Sequence, residues 1–344
     1  MRALVNAHAR PSAVAPAAEE AAAFHAALEG YRPTPIRQLP VVAAELGMAA
    51  VALKDESHRL GLPAFKVLGA SWAAERALRK HPHARTLVAA SAGNHGRAVA
   101  HVAARRGLGC AIFVPARAAA ALREAIAAEG AEVIVVEGSY EDAVARAASA
   151  GARPDVIELA DVGSSGPASW VIDGYATLLG ELRDQGTFDV ILVPVGVGSL
   201  AAAAARFGAQ AGAKVIGVEP VTAACLTASL AAGRPTAVAT PGTSMAGLDC
   251  AAVSDAAWPT LRDGIYGMLT VSDAEVHAAM RELAAAGFAI GDCGAAPLVA
   301  VRALAGEAQC AALREAVALG PQTRAVLIAT EGPTNPPAYR GRVS

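Results

Sequence analysis

Short apolar runs recur along the chain, and each is followed by a stretch whose apolar residues fall at helical spacing. Buried strands are expected at 50–53, 86–90, 109–115, 131–137, 156–160, 188–196, 214–219 and 324–330. Between them the pattern predicts helices at 17–28, 41–46, 69–80, 97–105, 119–129, 139–150, 167–186, 200–211 and 272–286, the 167–186 helix with a break at Gly174. Ser139 with Asp142, and Ser272 with Glu275, have the spacing of capping boxes, so two of these helix starts are marked by side-chain chemistry as well as periodicity. Strand and helix in alternation predict an α/β chain with parallel sheet covered by helices.

Composition narrows what such a chain does. Its 344 residues, 54% of them hydrophobic, suffice for two lobes with their own cores. No flexible linker divides the chain into independent domains. A net charge of -2 provides no electrostatic footprint for nucleic acid or an anionic membrane surface. The apolar stretch 190–205 is interrupted by Pro194 and glycines and is too short to span a bilayer. The start of the chain has no basic segment followed by an apolar core, so no secretory signal is expected. Five cysteines are scattered without a CxxC pair, and no histidines have metal-ligand spacing, so no metal is assigned and a reduced, cytoplasmic protein is expected. Whether Cys225 and Cys250 approach each other is left open by the sequence.

Three stretches carry candidate chemistry. Lys66 stands between Phe65 and Val67–Leu68, where burial would disfavour its charge, lower its pKa and make its amine a nucleophile. A lone lysine of this kind more often lays its stem along apolar neighbours at the surface. Ser91, Ala92, Gly93, Asn94, His95 and Gly96 join a strand to a helix, so free amides at the helix start suit a carboxylate. Gly196, Val197, Gly198 and Ser199 repeat the arrangement later in the chain, with small residues that let backbone approach a phosphate. That loop lacks both the P-loop ending and the dinucleotide spacing.

A lysine, a carboxylate loop and a phosphate loop in this order resemble the fold-type II pyridoxal-phosphate enzymes of the tryptophan synthase β and serine/threonine dehydratase superfamily. Tyr31-Arg32-Pro33-Thr34-Pro35, Lys54 to Gly69, Gly93 to Arg97, Asp173-Gly174-Tyr175, Met245-Ala246-Gly247-Leu248 and Thr330 to Pro336 narrow the resemblance to diaminopropionate ammonia-lyase. It implies two lobes, each with a mainly parallel sheet flanked by helices. The large, cofactor-binding lobe would comprise 1–59 and 170–344, and a small lobe, 60–169, would close over the substrate. Lys66 would hold pyridoxal 5'-phosphate, with Asn94, Gly196, Val197, Gly198 and Ser199 around it and Thr330 facing the ring nitrogen. Ser91, Gly93, Asn94 and His95 would receive the substrate carboxylate. A homodimer is implied as well.

The chain departs from that family at informative places. Ala92 stands where the family has the aspartate associated with the D-isomer, whereas the aspartate associated with the L-isomer falls at Asp161, so restriction to L-substrates is expected. As a residue type in a loop, Asp161 reads equally as a helix cap or turn residue. Asp292 and Cys293 replace an expected Glu and Ser, and 164–167 lack aromatic and acidic character. Elimination of L-2,3-diaminopropionate to pyruvate and ammonia is the leading reading. An L-serine or L-threonine dehydratase or a β-replacement enzyme is the alternative, and a catalytically reduced pyridoxal-phosphate-binding protein is a third. Asp161 and Asp249 are the candidates for receiving an ammonium leaving group.

Overall fold

A computed structural model describes residues 3–344; Met1 and Arg2, the first two residues of the expected large lobe, lie outside the described residues. The strands are β1 (Ala3–Val5), β2 (Ile36–Gln38), β3 (Ala50–Asp55), β4 (Thr86–Ala90), β5 (Gly109–Pro115) and β6 (Glu132–Val136). They continue with β7 (Val156–Glu158), β8 (Val190–Pro194), β9 (Lys214–Pro220), β10 (Ile265–Val271) and β11 (Arg324–Ala329).

They form two sheets. One has seven strands in the order β1-β10-β9-β8-β11-β3-β2, the other four in the order β6-β5-β4-β7. The four-stranded sheet is wholly parallel. In the larger sheet the inner pairings are parallel, while β1 and β2 join the two edges antiparallel. The central strands β8 and β11 are almost continuously buried, as strands covered by helices on both faces must be. The larger sheet draws its strands from both ends of the chain, and the smaller one takes only the middle.

Alanine shapes the helical layer. In the helix Ser199–Ala211, Ala201 to Ala205 are essentially inaccessible, which lets the helix lie close on the sheet. Both capping boxes form, Ser139 with Asp142 and Ser272 with Glu275.

Three local expectations are corrected. The helix expected from 97 begins earlier and runs Asn94–Arg105, so Asn94 and His95 lie in its first turn. The long helix after Gly166 is broken at Glu181, giving Pro167–Gly180 and Leu182–Gln185, while Gly174 continues the helix. Gly174 is there for contact: a Cβ on it would lie 2.6 Å from the Leu68 carbonyl oxygen. Strand β10 and the helix Asp292–Gly306 were not expected from the pattern. Tyr266-Gly267 interrupts the first, and glycine with Pro297 obscures the second.

Candidate functional site

The ends of β4, β7, β8 and β11 bring the singled-out residues to one place between the sheets. Lys66 immediately precedes the helix Val67–Lys80. Its loop is tied to the end of β11 by Phe65 N–H donating to the Thr330 carbonyl at 3.3 Å and Gly332 N–H donating to that of Pro63 at 3.0 Å. Lys66 Nζ lies 3.1 Å from Asp161 Oδ2, the two side chains being 17% and 13% exposed. Lysine and aspartate, far apart in sequence, thus form a largely buried ion pair.

That pairing overturns one expectation. Burial does act to lower the Lys66 pKa, but Tyr175 and Asp161 beside it outweigh burial and hold it above the ordinary lysine value. Desolvation penalises an isolated charge, and this one has a counter-ion in hydrogen-bonding contact. For Asp161, burial alone would raise the pKa, yet His95 and Lys66 hold it down at about 2.

The carboxylate loop is ordered from within. Gly93 N–H donates to Ser91 Oγ at 3.2 Å, and Asn94 donates its side-chain amide to Glu331. Glu331 also accepts from the Cys293 amide, so it joins the loop after β4 to the helix Asp292–Gly306; burial raises its pKa. His95 Nε2 donates to the Leu159 carbonyl at 2.7 Å. Its Nδ1 has no hydrogen-bond partner among the described residues and lies 4.0 Å from Asp161 Oδ2.

The loop after β8 is a cradle that larger residues would fill. A Cβ on Gly196 would come within 2.6 Å of the Gly247 carbonyl oxygen and 3.1 Å of Cys250 Sγ. Gly198 adopts the left-handed conformation, φ +95, to enter the helix Ser199–Ala211. The first amides of that helix have no carbonyl within it to bond, which suits them to a phosphate. Ser199 Oγ donates to the Asp161 carbonyl at 3.3 Å. Ser254 ties this loop to the one after β7, its N–H donating to Val197 O at 2.9 Å and its Oγ to Gly163 O at 3.1 Å.

Thr330 follows β11, and its buried Oγ1 has no hydrogen-bond partner among the described residues. A buried hydroxyl is costly unless paired. Lys66, the 196–199 cradle and this orphaned hydroxyl therefore fit pyridoxal phosphate: an amine for its aldehyde, amides for its phosphate and a neutral partner for its ring nitrogen.

Other candidates border the cradle or are engaged elsewhere. Asp249 follows the Met245–Leu248 segment that crosses the cradle, with a buried, unpartnered Oδ1 and a pKa raised by burial. Asp292 is taken up by Arg342. Cys225 and Cys250 both flank Gly196 and are free thiols. Among the described residues no His/Cys/Asp/Glu cluster suits a metal, and no helix is long and apolar enough to cross a membrane. Glu331, Ser254 and the hydroxyl of Tyr175 were not singled out from the sequence. Two of them lie inside quoted motifs, whereas Ser254 has no sequence signal.

The chain and its fold have known relatives. Residues 27–331 match the family model for pyridoxal-phosphate dependent enzymes. The diaminopropionate ammonia-lyase of Escherichia coli K12 is 30% identical, the match covering 92% of this chain and 88% of the relative. That of Salmonella typhimurium is 29% identical over 93% of this chain and 90% of its own length. Among solved structures, the Escherichia coli diaminopropionate ammonia lyase in complex with an aminoacrylate-PLP azomethine reaction intermediate superposes with a TM-score of 0.90 at 29% identity, covering 99% of this chain and 96% of that one.

Proposed function

Because the chain belongs to the pyridoxal-phosphate dependent enzymes and, within them, to the diaminopropionate ammonia-lyase family, we propose that it converts L-2,3-diaminopropionate and one water to pyruvate and two molecules of ammonia. The observation that carries this reading is the buried pair of Lys66 and Asp161, 3.1 Å apart beside both anion-binding loops. Pyridoxal phosphate, when bound, supplies the electron sink that acidifies the substrate Cα–H.

The chain supplies the rest. Lys66 would hold the cofactor, and the amides of Gly196, Val197, Gly198 and Ser199 its phosphate. Thr330 offers the ring nitrogen a hydroxyl that does not require it to be charged, which favours elimination over transamination. Ser91 and the amides of Gly93, Asn94 and His95 would fix the substrate carboxylate. Asp161, anionic at neutral pH, would accept the α-proton, and Lys66, as an ammonium, would carry a proton to the departing β-amine. A dehydratase reading lacks a comparable observation.

Ala92 is part-buried in the carboxylate loop and has no acid–base group, so turnover should be confined to the L-isomer. Residues 60–169 carry the smaller sheet's four strands, which supports their reading as the lobe that closes over 1–59 and 170–344. We place the enzyme in the cytoplasm as a homodimer, on the family resemblance and its five free thiols.

The test is direct. Purified protein is mixed with the L- or D-isomer, the cofactor absorbance is followed, and pyruvate and ammonia are assayed in the same cuvette. Both products from the L-isomer alone are expected, with the cofactor band absent in Lys66→Ala. A cofactor band without either product would overturn the substrate assignment. Equal turnover of both isomers would overturn the role given to Ala92.

A further inference from the structure

Tyr175 is wholly buried, yet among the described residues its hydroxyl has no hydrogen-bond partner. The ring is not free to turn away. A Cβ on Gly69 would come within 2.5 Å of Tyr175 Cε1, so the ring packs directly against the lysine helix at Gly69, and its centroid is 4.7 Å from that of Phe65. Gly174, the residue before it, lets the two helices touch along Leu68. A pair of close-packed glycines therefore seats this ring on the first turn after Lys66.

Two charged groups bear on the phenol, Lys66 and Asp161. Lys66 Nζ lies 5.8 Å from the ring centroid. Tyr140, Cys250 and, through Asp161, His95 complete the titratable surroundings of the pair. As an ammonium Lys66 has three N–H donors, of which Asp161 takes one. The ionised carboxylate can only accept, so it has nothing to offer the lone pair of a neutral amine. A phenol can accept from the ammonium and, after rotation of its O–H, donate to the amine.

We propose that Tyr175 is a positioning residue for Lys66, its hydroxyl bonding the lysine nitrogen in both protonation states so that the amine stays aligned between cofactor and substrate while Lys66 is released. The proposal rests on the reading that Lys66 carries the cofactor. It gives Gly69 and Tyr175, which lie in separate motifs, one shared purpose.

Tyr175→Phe keeps the ring and removes only the oxygen. Apoenzyme of the wild type, Tyr175→Phe and Lys66→Ala would be mixed with pyridoxal phosphate across a pH series, and the rate of capture read by absorbance. Because a hydrogen bond to a charged group is stronger than one to a neutral group, loss of the hydroxyl should move the pH midpoint of capture down by about half to one unit. With L-2,3-diaminopropionate, kcat should fall about 10- to 100-fold while KM changes less than about threefold. The apoenzyme's Tm should stay within about 2 °C of the wild type.

An unmoved midpoint overturns the proposal, whether kcat is unchanged or falls together with Tm as a packing role would require. Absence of capture by the wild type would remove the cofactor reading and this proposal with it. Capture by the wild type with identical behaviour in Tyr175→Phe overturns the proposal alone.

Discussion

Lys54 and Lys66 lie at opposite ends of one loop, both enclosed and both facing a carboxylate, but their surroundings differ in kind. Lys54 donates to the Thr34 carbonyl at 2.8 Å, to Glu181 and to Gln185 Oε1 at 2.9 Å, so its three N–H groups are all used. Glu181 in turn is held by both terminal nitrogens of Arg59, by Tyr31 Oη at 2.7 Å and by the Thr34 amide at 3.1 Å. With Glu56 bonded to Arg59, two cations and two anions close on themselves. Lys66 has one acceptor at 3.1 Å, and close to the pair lie the unpartnered Tyr175 hydroxyl and His95 Nδ1.

The pKa directions run against the usual association of a reactive lysine with a lowered pKa. Burial holds Lys54 below the ordinary lysine value despite Glu181 and Glu56, whereas Lys66 is held above it. What separates the structural lysine from the one proposed to react is saturation. A closed network has no bonding capacity left for a ligand, while an open one is completed by it.

Substitution should separate the two roles. Lys66→Ala should lower elimination at least ~10⁴-fold, because it removes the proposed point of cofactor attachment, and it should leave a folded protein by circular dichroism. Lys54→Met should do the reverse. It leaves Glu181 with one cation fewer in a buried network, a loss of about 3–5 kcal/mol, read as a fall in the urea midpoint. If Lys54→Met lost activity without losing stability, the contrast between the two lysines would collapse.

Asp161→Asn sharpens the contrast inside the active site. It keeps the shape but removes the proposed proton acceptor, so kcat on the L-isomer should fall about 10²- to 10⁴-fold with the cofactor band retained. Ala92→Asp restores the carboxylate that the family resemblance associates with the D-isomer, and a measurable D-turnover is expected in a pyruvate assay. Failure of Ala92→Asp to gain it would show that one alanine does not explain the predicted selectivity.

These two regions also mark what could be read from the chain. Capping boxes at Ser139 and Ser272 were legible because both partners sit within one helical turn. The helix break was placed at Gly174 when it falls at Glu181, whose inward turn answers to Lys54, 127 residues away. The three-residue edge strands β1 and β2 exist only through their pairing with β10 and β3. At the candidate site, Lys66, Asp161 and both loops were singled out individually, but neither their ion pair nor the sign of the Lys66 shift was. Local sequence reports burial; the direction depended on Tyr175 and on a carboxylate 95 residues away.

The smallest effect concerns acid, and it tests the open pair in the apoenzyme, where Lys66 is free. Asp161 has a folded pKa of about 2, below its unfolded value, so its stabilisation is present above the unfolded pKa near ~3.9 and lost as pH falls toward 2. Lys66 is raised, so its share is present below its unfolded pKa near ~10.4 and lost as pH rises through its higher folded value. Glu181 is also lowered and contributes to acid unfolding in any variant, so the wild-type curve alone does not isolate Asp161. The difference between wild type and Asp161→Asn does. Followed by urea unfolding, it should shrink by about 2 kcal/mol between pH 5 and pH 2. A difference that stays constant over that range would mean that the carboxylate of Asp161 is not held by Lys66 in solution, and the open pair would lose its place opposite the closed one.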